Sequence, residues 1–251
     1  ILCAWQGGQE AGNSIVDVLK GTVNPSGKLA ITFPIKYEDA PSASTFPGHL
    51  DETVTNADPE AEAAFMGSRL PWEVMYTEDI FVGYRYYNTF NIPVAYEFGF
   101  GLSYTKFEYS NALISSSEFT DHVTVTIDVT NIGDVAGKEV VQVYLKAPAE
   151  KMEKPSMALV SFGKTKLLAP GETQTLSFDL MPRDLCSFDA ATSSWVAEAG
   201  SYEVMIGSSS RNIQAVVSFK LIDETVVETV SRALVPQVEI KKQYSTANIQ
   251  R

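Results

Sequence analysis

From residue 123 onward apolar and polar residues alternate with a period of two, as in the run Val123-Thr124-Val125-Thr126-Ile127-Asp128-Val129 and again over 140–145, 174–180, 202–206 and 215–221. Successive side chains of a strand point to opposite faces, so this alternation predicts strands with one face in a core and one toward water. Turn formers separate the runs, notably Asn131-Ile132-Gly133-Asp134 and Ala169-Pro170-Gly171-Glu172. Short strands with this punctuation predict an antiparallel β-sandwich of about 100 residues.

The pattern before that region is different. Ile1-Leu2-Cys3-Ala4-Trp5 reads as a buried strand, and Gln6-Gly7-Gly8 as a flexible turn. Over 9–20 the apolar positions Ile15, Val16, Val18 and Leu19 predict an amphipathic helix, with Gly21 as its C-terminal cap. Asn24-Pro25-Ser26-Gly27 is a turn, and residues 29–33 predict a strand stopped by Pro34. Strand, helix, strand is the order of an α/β sheet. A lone first strand cannot pair its backbone groups, so this reading expects its neighbours in upstream sequence or in another chain.

Residues 37–75 are rich in Pro, Ser, Ala, Asp and Glu, with periodicity only in a short helix expected near 59–65. A connection longer than about 12–15 residues is expected to be functional, packed on another domain, or mobile. Aromatic residues then crowd into 81–87 and 96–104, which predicts substantial apolar burial. The fold class is therefore α/β plus all-β. Residues 1–37 form an incomplete α/β end, 38–106 a long loop with an aromatic linker, 107–222 the sandwich, and 223–251 a tail that either wraps onto the body or frays.

Composition narrows the function. With 251 residues, 45% hydrophobic and 20% charged, the chain is globular in type. Its formal charge of −12 disfavours a nucleic-acid partner. No apolar run reaches the roughly 18–20 residues of a membrane span, and no secretory leader pattern is evident. Cys3 and Cys186 are far apart among small or apolar neighbours and are expected to be buried free thiols. His49 and His122 have no partner at metal-ligand spacing, and the glycine clusters lack the strand–turn–helix setting of a nucleotide fingerprint, so no cofactor is expected. Glu10 is better explained by the helix dipole than by acid chemistry, and Asp17 by a solvated structural role. Arg85, among tyrosines, is expected to pack at an interface rather than stack on a sugar.

Three motifs carry a resemblance. They are Gly7-Gly8-Gln9-Glu10-Ala11-Gly12-Asn13 with Asp17-Val18-Leu19; Gly21-Thr22-Val23-Asn24-Pro25-Ser26-Gly27-Lys28-Leu29; and Phe81-Val82-Gly83-Tyr84-Arg85-Tyr86-Tyr87 leading to Phe98-Gly99-Phe100-Gly101-Leu102-Ser103-Tyr104. In this order they resemble glycoside hydrolase family 3, which includes many β-glucosidases and β-xylosidases. Residues 137–144, 168–173 and 207–210 are similar to the fibronectin type III-like domain that closes many members, an immunoglobulin-like sandwich. Two local departures are Gly7, where the family often has proline, and Lys154-Pro155, where arginine-proline is more usual.

The resemblance implies a barrel carrying a nucleophilic aspartate, an α/β sandwich carrying an acid/base glutamate, and the fibronectin-like domain. This chain would supply the end of the second part and all of the third. Retaining cleavage needs two carboxyl groups about 5–5.5 Å apart. The resemblance places both before Ile1, so no catalytic residue is expected here and the isolated chain is expected to be inactive. An oligosaccharide or glycoside would be met through the missing barrel. Phe65, Leu70 and Trp72 of the long loop are candidates for its rim, with Trp72 the proposed substrate-binding residue. Related bacterial enzymes with this domain order are often exported, which points to a periplasmic or secreted location with the cytosol left open; a homodimer is also open. The competing reading is a non-catalytic carbohydrate-binding or adhesion module. Burial of Tyr84, Tyr86 and Phe100 would speak for bracing, and an exposed aromatic row for binding.

Overall fold

The computed structural model describes residues 2–50, 72–233, 235–236 and 238–248, with the side chains of Leu50, Trp72 and Asn248 outside that description. Helix α1 spans Ala11–Leu19, inside the predicted 9–20, and Gly21 follows it at φ +75°. A left-handed residue lets the chain leave the helix at no steric cost only if it is glycine. The strands are β1 (Phe33–Pro34), β2 (His49–Leu50), β3 (Trp72–Glu73) and β4 (Val94–Tyr96), with helix α2 (Tyr84–Thr89) between β3 and β4. There follow β5 (Phe107–Ile114), β6 (Val123–Asn131), β7 (Val140–Lys146), β8 (Ala158–Lys164), β9 (Thr173–Leu180), β10 (Ser187–Asp189), β11 (Ser194–Ala197), β12 (Gly200–Gly207), β13 (Ile213–Leu221) and β14 (Thr225–Thr229).

Two antiparallel sheets, β5-β6-β9 and β13-β12-β7-β8, pack face to face. Val123, Val125, Ile127 and Val129 of β6 point inward and meet Val141, Val143 and Leu145 of β7, Val204 and Ile206 of β12, and Phe219 of β13. The outward residues of β6 form a polar cross-strand ladder. Thr124 Oγ1 donates to Asp179 Oδ1 at 2.7 Å, Asn111 Nδ2 donates to Asp128 Oδ2 at 2.9 Å, and the Thr130 and Thr173 hydroxyls lie 2.8 Å apart. The alternation expected from sequence is therefore seen residue by residue.

Tyr202 is the polar exception in this core. Its ring stacks on Phe219, with centroids 5.2 Å apart and planes 2° from parallel, while its hydroxyl donates to the Glu198 carbonyl at 2.7 Å. Burial raises the phenol pKa, so the hydroxyl stays a donor across the physiological range. Tyr202→Phe keeps the stack and loses that bond, and should lower stability by about 1–2 kcal/mol in a urea titration.

Three expectations are corrected. Residues 2–5 form no strand and are exposed, Trp5 at 62%. A strand exists only with a hydrogen-bonded neighbour, and none of the described residues pairs with this segment. The strand expected at 29–33 contracts to Phe33–Pro34 on β4, although Leu29 still exchanges backbone bonds with Gly99 and Phe100, both at 2.8 Å. Cys3 is exposed, for the same lack of cover, and Cys186 is only half-buried; both are free. The tail at its start follows one of the two courses expected for it, packing on the body: β14 pairs with β11 in a third sheet, β10-β11-β14. The helix expected near 59–65 lies outside the described residues.

Candidate functional site

The loop on which a substrate contact was expected is closed by a two-residue ladder, in which His49 pairs with Glu73 and Leu50 with Trp72. Trp72 therefore sits at the base of the loop, and its side chain lies outside the described residues, as do Phe65 and Leu70. His49 Nε2 lies 3.5 Å from Glu73 Oε2, with both side chains mostly exposed. His122 sits 3.2 Å from Asp121, also at the surface. No group of three or more His, Cys, Asp or Glu residues among the described residues could hold a metal ion.

Glu10 and Asp17 are exposed. Glu10 makes no side-chain cap and instead accepts from Asn13 Nδ2 at 2.6 Å, so neither acid is held as catalysis requires. Two surface cavities reinforce the point. One, of about 50 Å³, is lined by Lys154, Asp184, Leu185 and Cys186 among others; the other, of about 340 Å³, by Glu118, Ser201, Phe219 and Lys220 among others. Each offers a single carboxylate, where glycoside cleavage needs a facing pair.

The chain does build a brace between the linker and the sandwich. β7 is buried on both faces from Val141 to Leu145, because the linker lies across its outer side. Gln142 Nε2 donates to the carbonyls of Gly99 at 3.2 Å and Ser208 at 2.7 Å, and the Tyr144 hydroxyl donates to Gln142 Oε1 at 2.5 Å. Tyr84 stacks on Phe98 at 4.7 Å and meets Tyr144 edge-on at 5.8 Å, while its hydroxyl accepts the Leu159 N–H at 2.7 Å. Burial, with Tyr84 and Glu97 nearby, raises the Tyr144 pKa and keeps it a donor. Ser209 Oγ donates to Glu97 Oε1 at 2.7 Å.

Arg211 fastens the end of α2. Its guanidinium donates to Asn88 Oδ1 at 2.9 Å and to the carbonyls of Tyr87 at 3.1 Å and Ile92 at 2.7 Å. The Tyr87 carbonyl also accepts the Ile92 N–H at 2.9 Å, so the guanidinium fork bridges the last turn of α2 and the residues just after it. Arg85, the arginine that sequence singled out, is half-buried on α2 and makes no hydrogen bond or ion pair among the described residues. The reading missed Arg211 because the carbonyls it meets are 119 and 124 positions away.

A second seam joins the α1 region to the sandwich. Asn24 donates to the Ala136 carbonyl at 3.1 Å and accepts from Ser103 Oγ at 2.9 Å and the Tyr104 N–H at 2.8 Å. The Tyr104 hydroxyl donates to the Val18 carbonyl at 2.9 Å, and Lys28 pairs with Glu139 at 2.8 Å with both side chains mostly buried. The motif residues of sequence thus turn out to be fasteners.

A family model for the glycosyl hydrolase family 3 C-terminal domain matches residues 1–104, and one for the fibronectin type III-like domain matches residues 139–210. A β-glucosidase of Ruminococcus albus is 39% identical over 253 residues, covering 98% of this chain and 24% of the relative. The structure of β-glucosidase 3B from Thermotoga neapolitana aligns with TM-score 0.76 at 47% identity, over 88% of this chain and 28% of that one. A β-glucosidase structure from Paenibacillus barengoltzii aligns with TM-score 0.78 at 36% identity, over 93% and 24%. The chain spans about a quarter of the length of the curated relatives it matches. Two consecutive domain matches, near-complete coverage by such relatives and a shared backbone agree with the motifs at Asn24, Tyr84 and Gly99, and the chain accordingly belongs to glycoside hydrolase family 3, of which it carries C-terminal sequence and the fibronectin type III-like domain.

Proposed function

We propose that this chain is the C-terminal part of a retaining, exo-acting β-glycosidase of the β-glucosidase type, and that its role is to brace the parts that bind and cleave the glycoside. The observation that carries the reading is the linker clamped across β7 by Gln142, Tyr84 and Arg211, in a chain whose relatives over nearly its whole length are β-glucosidases. The reacting acids are supplied by the rest of the parent protein, and the brace holds the segment leading to them at a fixed angle. Positioning of this kind matters because misplacement of about 1 Å far from the chemistry can cost roughly 100-fold in rate.

The alternative of a sugar-binding module finds less support. Tyr84, Tyr86 and Phe100 are half-buried and spend their faces on internal ring contacts. On the outer sheet Trp195 is covered by the Arg183 guanidinium, 3.7 Å from the ring centroid, and Phe188 is tilted 56° to it, which leaves no flat platform for a pyranose. In the test, the full-length parent hydrolyses p-nitrophenyl β-glucoside, while the purified 251-residue chain releases no nitrophenol and retains no laminarin or cello-oligosaccharide in affinity electrophoresis. Turnover by the chain alone, or glucan binding by it, would overturn the reading.

A further inference from the structure

We propose that the segment from Lys242 to Thr246 is a clasp: a short peptide, carried on an exposed connector, that docks between the two limbs of the β2–β3 ladder and ties both to the sandwich. After β14 the described residues from Ser231 to Lys241 are exposed, whereas Tyr244, Ser245 and Thr246 are half-buried. The grip is thus separate from the strand that anchors the tail.

Lys242, Gln243, Tyr244 and Thr246 each have a named partner on another part of the fold. Lys242 Nζ lies 2.6 Å from Asp79 Oδ2. The Gln243 N–H donates to the Thr77 carbonyl at 2.8 Å, Thr77 Oγ1 donates to Gln243 Oε1 at 3.0 Å, and Gln243 Nε2 donates to Ser44 Oγ at 3.0 Å. The Tyr244 hydroxyl donates to the Pro41 carbonyl at 3.0 Å, and its ring packs on Tyr86 at 4.7 Å and Phe90 at 5.7 Å. Glu153, in the loop between β7 and β8, accepts from both the N–H and the hydroxyl of Thr246.

These partners fall in three places. Pro41 and Ser44 precede β2, Thr77 and Asp79 follow β3, and Glu153 belongs to the sandwich. A main-chain bond, a side-chain amide reaching both limbs, and an aromatic anchor in a cleft form the usual composition of peptide recognition, with the ring carrying much of the affinity. The clasp therefore sets where the Leu50–Trp72 ladder stands relative to the sandwich. In the parent enzyme this makes residues 242–246 a positioning element for the base of the loop that ends at Trp72, the residue proposed from sequence to meet substrate, an extension that rests on the glycosidase reading.

The test compares the 251-residue chain with Tyr244→Ala and Gln243→Ala by hydrogen-exchange mass spectrometry. Exchange over residues 37–46 and 73–90 should rise about tenfold or more in Tyr244→Ala, as loss of one buried aromatic anchor implies, with 123–129 unchanged as an internal control of folding. Unchanged exchange in the two limbs overturns the proposal, and so does an equal rise in the sandwich, which would make the tail a general stabiliser. In the full-length parent, Tyr244→Ala should raise KM for a disaccharide several-fold with kcat retained. A parent that cleaves no glycoside refutes the glycosidase reading and leaves the exchange result standing, whereas an unmoved KM with loosened limbs refutes the positioning role.

Discussion

Glu198→Ala should cost about 3–5 kcal/mol of unfolding free energy, the range seen when a buried charge pair loses one partner. Glu198 is 1% exposed, and its carboxylate collects the amides of the irregular loop between β7 and β8. Oε2 accepts the N–H groups of Glu150 at 3.1 Å and Lys151 at 3.0 Å, and Oε1 accepts that of Met152 at 3.1 Å. Lys154 Nζ sits 3.0 Å from Oε1, with side-chain exposures of 4% and 2% for the pair. At that distance the two buried charges attract strongly, with little water between them to screen the pair. Alanine leaves three backbone donors without an acceptor and a buried ammonium without its counter-ion, and each orphaned polar group costs about 1–3 kcal/mol before relaxation. Lys154→Met removes the cation but leaves the carboxylate its three backbone donors, and should cost clearly less.

The same carboxylate makes stability depend on pH. Burial pushes its pKa up, but the backbone donors from Lys151 and Met152 together with Lys154 outweigh burial and hold the folded value below the ordinary glutamate range. A lowered folded pKa contributes stability that is complete above the unfolded value and is lost as pH falls through the folded one. Glu198→Gln has no proton to take up there. Urea titrations at neutral and acid pH should show the gap between wild type and Glu198→Gln narrowing on acidification, and a constant gap would mean that the charge contributes nothing.

What the sequence revealed and what it hid both follow from how local each signal is. β6 is legible because its outer face is Thr and Asp in water and its inner face is Val and Ile in the core, so the residues alone report the sheet. β5 is not, because Asn111 at φ +52° carries a register shift between Ser110 and Leu113 that breaks the period of two. β7 reads from sequence as one more half-buried strand, yet it is buried on both faces, and the second is owed to a linker more than 40 positions earlier, as the 43-residue separation of Gly99 and Gln142 shows. Ile1-Leu2-Cys3-Ala4-Trp5 has the composition of a core strand, yet burial belongs to a pair of surfaces, and composition states only one. The polar tail was unreadable for the complementary reason. Lys242, Gln243 and Tyr244 are unremarkable in a row, and they gain meaning only when the fold carries Asp79, Thr77 and Pro41 to them.

Gly99→Ala should lower stability by about 2–4 kcal/mol, combining a strained backbone with an overfilled contact. Gly99 has φ +83°, and a Cβ built there would stand 2.0 Å from Gln142 Oε1. Gln142 cannot swing aside: it is buried, its amide nitrogen is committed to the Gly99 and Ser208 carbonyls, and its oxygen accepts from Tyr144. The linker must then lift from β7, taking Phe98 from Tyr84 and the Phe98 carbonyl from the Ser210 N–H, now 2.9 Å apart. Gly171 supplies the control, since it has nearly the same dihedral, φ +79°, with nothing within 4 Å of its Cβ position. Gly171→Ala should therefore cost only the dihedral component, about 1 kcal/mol. The excess of the first variant over the second, read from paired urea titrations, measures how firmly Gln142 holds the linker. Equal losses would mean that the linker rests on the sandwich without being fixed to it, and the brace would lose its physical basis.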